Sequence, residues 1–327
     1  MRTYRHPGIG GSTLVCRVFG SSRWEAVIAA ATLVLAVILV SCGPSGRPKA
    51  EFETELGDDG QLVVVTTSIW ADVVANLLCE PREAVTPVIP AGGDPHGFQP
   101  SLAHAGAISE ADLVVANGGG LEGSMVDLLE DRELKGGAVV YATELTATDP
   151  VNPHIWLDPR RVVEVSNALA PILIEAGADP STVEQCTDEY VAELEGLDRQ
   201  IAQQLANLAP ADRKLVTNHD ALGYFADRYE FEVIGTLLSS SSTLTEAGPG
   251  DFEQLRSLIN EHGVRAVFAE GGHSTAEMET LVTQLDGVRV VELDLESLGE
   301  PGSATGTYLD MMHVGSEQIA VALEAKS

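Results

Sequence analysis

Three histidines stand in segments whose residue types suit metal chemistry. His96 lies in Gly93-Asp94-Pro95-His96-Gly97-Phe98-Gln99-Pro100. His154 lies in Asn152-Pro153-His154-Ile155-Trp156-Leu157-Asp158-Pro159, and His219 in Thr217-Asn218-His219-Asp220-Ala221-Leu222-Gly223-Tyr224-Phe225. Each follows a strand-like run or opens a helix-like one, and open α/β sheets bind ligands outside the carboxyl ends of their strands. Each also has an aspartate close by, Asp94, Asp158 or Asp220. A carboxylate beside a histidine can hold the ring tautomer of a metal ligand from behind. One such histidine reads as an ordinary turn residue. Three of them, distributed over both halves of the chain, read as a ligand set for a borderline divalent ion such as zinc. A fourth ligand is wanted. Glu292, Asp294 and Glu296, at and just beyond the last strand-like run, all qualify, and strand alternation cannot choose among them because they share one parity. His104, His262, His273 and His313 lack such contexts and read as helix or surface residues. Of these, only His273 follows a strand end, after Glu270-Gly271-Gly272.

The elements that must position these residues form a repeating pattern. Strand-like runs fall at 62–67, 84–89, 111–117 and 138–142, with helix-like stretches at 69–78, 103–109 and 124–129. The second half repeats this, with strands at 214–218, 232–238, 266–269 and 288–293 and helices at 221–229, 251–262, 275–285 and 308–325. Alternating strands and helices imply βα units and parallel sheets. Between the halves, Ser181-Thr182-Val183-Glu184 reads as a capping box. Tyr190, Leu194, Leu197, Ile201, Leu205 and Leu208 then mark one face of a long helix. A stiff rod between two lobes predicts limited lobe motion. Gly118-Gly119-Gly120-Leu121-Glu122-Gly123 matches a dinucleotide fingerprint, but a lone match reads better as a glycine-rich turn between strand and helix.

The first residues differ from the rest. Residues 1–23 carry Arg2, Arg5, Arg17 and Arg23 and no acid, and residues 26–40 are apolar except Thr32. That is the layout of a secretory signal, and as a helix the apolar run spans only about 22 Å, short of a bilayer core. It ends in Leu39-Val40-Ser41-Cys42, which resembles a bacterial lipobox, so Cys42 is expected to be acylated as the mature N-terminus. The organisation expected is a signal at 1–41, a flexible tether at 42–61, an N-terminal lobe at 62–180, a linking helix at 181–209 and a C-terminal lobe at 210–327. Cys79 and Cys186 remain in the mature chain, an even number in an oxidising compartment, where a disulfide between them is open.

The chain has 327 residues, enough for about two domains. Lys+Arg is 19 against 49 Asp+Glu, a formal net charge of −30. Losing a signal of charge +3 makes the mature protein −33. Such acidity excludes nucleic acid as a partner and a polybasic membrane patch as an anchor. An apolar fraction of 44% is that of a globular protein.

The segments Gly-Asp-Pro-His, Asn-Pro-His-Ile-Trp-Leu-Asp-Pro and Asn-His-Asp-Ala-Leu-Gly-Tyr-Phe resemble those of the zinc/manganese solute-binding proteins of bacterial ABC importers. The resemblance runs from about Leu62 to the C-terminus. It implies two βα lobes with parallel sheets, joined by one long rigid helix, and one metal ion in the cleft between them. It also implies that His96, His154 and His219 are the first three ligands. The family's fourth ligand is an Asp in a segment like Asp-Ser-Leu-Gly, ten residues before Gly-Thr-Tyr. Here Glu296-Ser297-Leu298-Gly299 precedes Gly306-Thr307-Tyr308 at that spacing, so Glu296 fills the position and Asp294 is the reserve.

The stretch 144–151 is short and has no histidine, unlike the His-rich loop of many zinc members, whereas His219 departs from the Glu common in manganese members. The implied function is capture of Zn²⁺ first, Mn²⁺ second, outside the cytoplasm by a lipid-anchored monomer, with delivery to an ABC permease and its ATPase. Binding needs neutral histidines, so affinity is expected to fall below about pH 6.5. A lipid-anchored adhesin or a metallochaperone on the same fold is the alternative function. A zinc hydrolase is disfavoured, since no His-Glu-x-x-His pair is present and a carboxylate in fourth place would close the site.

Overall fold

A computed structural model describes residues 53–56, 61–147, 152–238, 243–244, 246–270 and 272–324. The expected signal and Cys42 lie outside them. Two four-stranded sheets organise the chain. The first has the order β1 (Thr54–Leu56), β2 (Gln61–Val65), β3 (Leu113–Ala116), β4 (Ala138–Tyr141). The short edge strand β1 is antiparallel to β2, and the rest are parallel. Thr54–Leu56 is therefore strand where the sequence reading placed flexible tether. The second sheet is wholly parallel. Its strands in chain order are β5 (Lys214–Thr217), β6 (Glu232–Thr236), β7 (Ala266–Glu270) and β8 (Arg289–Leu293), arranged β6-β5-β7-β8.

The helices are α1 (Ser68–Leu77), α2 (Leu102–Glu110), α3 (Val126–Leu134), α4 (Pro159–Glu175), α5 (Pro180–Leu205), α6 (Gly223–Tyr229), α7 (Pro249–His262), α8 (Gly272–Val282) and α9 (Tyr308–Glu324). None among the described residues is long and apolar enough to cross a membrane.

Alternation along the strands divides the core into three parts. Val63 and Val65 of β2 and Leu113 and Val115 of β3 face a large cluster that also takes in Leu215, Phe268 and Tyr308 from the second half. Val64, Val114 and Ala116 point the other way, into a cluster private to the first sheet, as Val216 and Val267 do for the second. Period-two side chains thus give each sheet an outer core of its own and one inner core in common. Helix α5 runs through the common core. Its 26 residues span about 39 Å and bury Val183, Tyr190, Leu194, Leu197, Ile201 and Leu205. Cys186 on α5 is disulfide-bonded to Cys79, just beyond α1.

Three local expectations need correction. The segment 84–89 is not a strand: it makes a single bridge between Val65 and Pro87. Pro87 and Pro90 lack the N–H groups a ladder needs. The long helix is capped two residues earlier than expected, by Asp179, whose Oδ1 accepts from the Thr182 amide at 2.9 Å, with Pro180 at the first helical position. Helix α4 was not foreseen. Its buried Val162, Val165, Ser166, Leu169, Ala170 and Leu173 carry the helical period, but Pro171 interrupts the sequence signal.

Candidate metal centre

Each cluster residue is held by its neighbours in the chain. The His96 amide donates to Asp94 Oδ1 at 2.8 Å, and the loop before it is tied down by Gly92 N donating to the Leu298 carbonyl at 3.0 Å. His154 is held through Asn152, whose Oδ1 accepts from the His154 amide at 3.0 Å and lies 2.6 Å from its Nδ1. That contact puts the ring proton on Nδ1 and leaves a lone pair on Nε2. Asn152 Nδ2 in turn donates to the Asp220 carbonyl at 2.5 Å. His219 lies two residues beyond the end of β5, its carbonyl accepting from Thr217 Oγ1 at 2.6 Å. Glu296 follows β8, and the first lobe secures its loop. Trp156 Nε1 donates to the Leu295 carbonyl at 2.7 Å, and the Leu298 amide to Ser68 Oγ at 3.0 Å.

The glycine-rich motif supports this arrangement. Asn117 Nδ2 donates to the Pro153 carbonyl at 2.9 Å, next to His154. The Glu122 carboxylate accepts from the amides of Asn117 and Gly118 at 2.7 and 3.1 Å and from Thr66 Oγ1 at 2.7 Å. Gly118 has φ +80°, and a Cβ there would meet Thr143 Oγ1 at 2.6 Å. A packed turn requires that glycine. The amides of Asn117 and Gly118 are engaged by Glu122 and that of Leu121 by the Gly118 carbonyl, the bonding of a tight turn between strand and helix.

His96, His154, His219 and Glu296 bring four ligand atoms within 4.8 Å of one another. The Nε2 of His154 lies 3.1 Å from that of His96 and 3.4 Å from that of His219. Glu296 Oε1 lies 2.6 Å from His219 Nε2, 3.7 Å from His154 Nε2 and 3.9 Å from His96 Nε2. Tetrahedral zinc with bonds of about 2.0–2.1 Å has ligand–ligand edges of about 3.3 Å, and these separations straddle that value. The histidines are 2%, 0% and 0% exposed in chain order, so water does not solvate the donors. The nearest neighbour of Glu296 Oε1 is His219 Nε2, close enough to share a proton in the metal-free protein. A carboxylate oxygen facing three imidazole nitrogens calls for a cation among them, a proton on His219 or a metal ion.

The electrostatics differ between the rings. Burial holds His96 below the ordinary histidine value and His154 well below it. Burial also pulls on His219, but the contact with Glu296 and the charges of Glu296 and Glu270 outweigh it and raise it to about 9. Glu270, at the end of β7, is pushed up to about 8 by burial.

The other residues singled out by sequence stand elsewhere. Asp94 is exposed and supports the His96 backbone. Asp158 caps α4, accepting from the Arg160 amide at 3.0 Å, and lies near Arg161 and Arg228. Asp220 and Asp294 are exposed and outside the cluster, although the Asp220 carbonyl anchors Asn152. Glu292 accepts from Thr275 Oγ1 at 3.3 Å. His104 caps α2 and His313 faces Gln204. The His273 side chain lies outside the described residues. Sequence reading passed over Ser68, Asn117, Glu122, Asn152, Trp156 and Glu270. Asn152 and Trp156 lie inside the His154 motif and Glu122 inside the glycine-rich one, whereas Glu270 is legible only as an acid ending an apolar strand.

A model of the family described as zinc-uptake complex component A, periplasmic, matches residues 63–322. The chain belongs to this family. Its members are solute-binding proteins of ABC importers rather than enzymes. The chain is 30% identical over 286 residues to the manganese-binding lipoprotein MntA of Halalkalibacterium halodurans, covering 86% of this chain and 92% of that one. It is 29% identical over 293 residues to the zinc-binding protein TroA of Treponema pallidum, covering 81% and 90%. The solved structure of TroA from Treponema pallidum superposes with a TM-score of 0.71 at 27% identity, over 80% of this chain and 99% of that one. A cadmium-bound periplasmic metal-binding protein of Candidatus Liberibacter asiaticus shares the fold, with a TM-score of 0.68 at 22% identity over 80% and 98%.

Proposed function

We propose that the protein captures one divalent transition metal ion outside the cytoplasm and hands it to an ABC permease driven by its ATPase. His96, His154, His219 and Glu296 are the ligands. The observation that carries this reading is the convergence of three imidazole Nε2 atoms and one carboxylate oxygen in a buried pocket. Two nitrogens from the first half, one from the second and a carboxylate complete a four-coordinate shell with no position for a reactive water, as suits cargo binding. Asp94 steadies the His96 backbone, and Asn152 fixes the His154 tautomer.

Zn²⁺ is the tighter ligand on this reading, because an imidazole-rich site follows the general affinity order in which Zn²⁺ far exceeds Mn²⁺. Mn²⁺ is the second reading, favoured by the names of relatives such as the manganese-binding lipoprotein MntA of Bacillus subtilis, 28% identical over 309 residues. A lipid on Cys42 holds the protein to the outer face of the membrane, and it works as a monomer.

Competition titration of metal-stripped protein with Zn²⁺ and Mn²⁺ tests the assignment. The expected result is one ion per chain, Zn²⁺ the tighter, with binding strongly weakened by His154→Ala. Undiminished affinity in that variant refutes the ligand set. For the anchor, Cys42→Ala should release the protein from the membrane fraction, and full retention there refutes it.

A further inference from the structure

A metal ion bonds to imidazole through a lone pair, so a ring that binds through Nε2 must carry its proton on Nδ1 and needs an acceptor there. For His154 that acceptor is Asn152 Oδ1. For His219 the structure places two groups near Nδ1, Asn218 Nδ2 at 3.0 Å and Glu270 Oε2 at 3.7 Å. Asn218 cannot turn to accept. Its Oδ1 takes the Glu270 amide at 2.8 Å and its Nδ2 donates to the Glu270 carbonyl at 3.3 Å, which fixes the amide with nitrogen toward the ring.

Glu270 is the acceptor that remains. Its side chain is 0% exposed, and neither carboxyl oxygen has a hydrogen-bond partner among the described residues. A buried carboxyl without partners is costly, and its presence calls for an explanation. Strand β7 lies between β5, which leads into His219, and β8, which leads toward Glu296. The acid therefore sits directly behind the one histidine ligand that the second sheet supplies.

We propose that Glu270 is a positioning residue of the metal site, accepting the Nδ1–H of His219 and presenting its Nε2 lone pair to the ion. This rests on the ligand assignment made above. A shift of under about 1 Å brings the contact to hydrogen-bond length, and the same shift must carry Nδ1 away from Asn218 Nδ2, a donor that faces it at 3.0 Å and cannot accept its proton. The two buried rings are then backed differently, His154 by a neutral amide oxygen and His219 by a carboxyl group, which makes His219 the more strongly donating ligand.

The test compares the full chain with Glu270→Leu, Glu270→Gln and, as control, His219→Ala. Zn²⁺ competition titration, thermal unfolding without metal and the ¹⁵N resonance of His219 Nδ1 in the zinc-loaded protein are the readouts. Glu270→Leu is expected to weaken Zn²⁺ binding about 10–100-fold, the usual cost of losing such a partner, without lowering the unfolding midpoint. Glu270→Gln, whose carbonyl still accepts, should lose several-fold and move the Nδ1 resonance. Wild-type affinity in Glu270→Leu, with binding weakened in His219→Ala, overturns the proposal. Should Glu270→Leu fail to fold, wild-type affinity and an unmoved resonance in Glu270→Gln overturn it. If His219→Ala also binds normally, it is the ligand assignment that fails.

Discussion

The two lobes hold their ligands in different ways. The second sheet presents His219 at the end of a central strand, with Asn218 and Glu270 against the ring. The first lobe presents His96 and His154 from loops, held by Asp94, Asn152 and Asn117. It also holds the loop of Glu296, which in the chain follows the last strand of the other sheet. Ser68, Gly92 and Trp156 each bond to that loop. Three of the four cluster residues thus have bonds to the first lobe, while His219 is held by the second, which also reaches His154 through the bond from Asn152 to the Asp220 carbonyl. The lesson is that position in the chain does not reveal which lobe controls a ligand. Separation of the lobes would have to break the bond from Asn152 to Asp220 as well as part His219 from His96.

Removing a cluster residue should have the largest effect. His154→Ala takes away the ring whose Nε2 lies within 3.4 Å of both other Nε2 atoms and should cost more than the 10–100-fold typical of a lost supporting partner. Calorimetric titration checks this, and a smaller loss would mean that the first lobe is not the main holder of the ion.

The second effect isolates His219. Its proton is held up to about 9, against an ordinary 6.5, and must leave before Nε2 can bond. Zn²⁺ affinity should therefore climb about tenfold per pH unit from 7 to 9 and level off above, a window higher than the ordinary histidine value suggests. For the metal-stripped protein the sign is opposite. The same proton contributes stability that is complete below about 6.5 and lost as pH rises through 9. A flat affinity between pH 7 and 9 would remove this contrast between His219 and the depressed His96 and His154.

The third concerns the frame. The Cys79–Cys186 bridge closes a separation of 107 residues and ties the end of α1 to α5. Replacing both cysteines by alanine should cost about 3–4 kcal/mol in chemical denaturation. Zinc affinity should be retained, because the bridge touches none of the cluster residues. Loss of binding in a folded double variant would show that the frame, and not the loop contacts, aligns the two lobes.

The smallest change tests the claim that the first lobe holds Glu296. Ser68→Ala removes the acceptor of the Leu298 amide, worth about 1 kcal/mol, and should weaken zinc about fivefold. No change in affinity, with an equal loss of stability, would assign Ser68 to packing alone.

The βα repeat, the long helix with its apolar stripe and the three histidine motifs were legible in the sequence, because period-two and 3.6-residue patterns and short-range motifs are properties of neighbouring residues. Local steric facts also belong there: Pro87 and Pro90 already forbade the ladder that a β-branched run suggested. Among Glu292, Asp294 and Glu296, parity left three equal choices and only the family spacing favoured Glu296. The fold separates them: Glu296 joins the imidazoles while Glu292 and Asp294 face outward. Likewise the disulfide, the hold of Trp156 on Leu295 and the placing of Glu270 behind His219 join residues far apart in the chain. Such pairs leave no periodicity to read. They exist only because parallel strands gather their carboxyl ends and one shared core presses two sheets around the same helix.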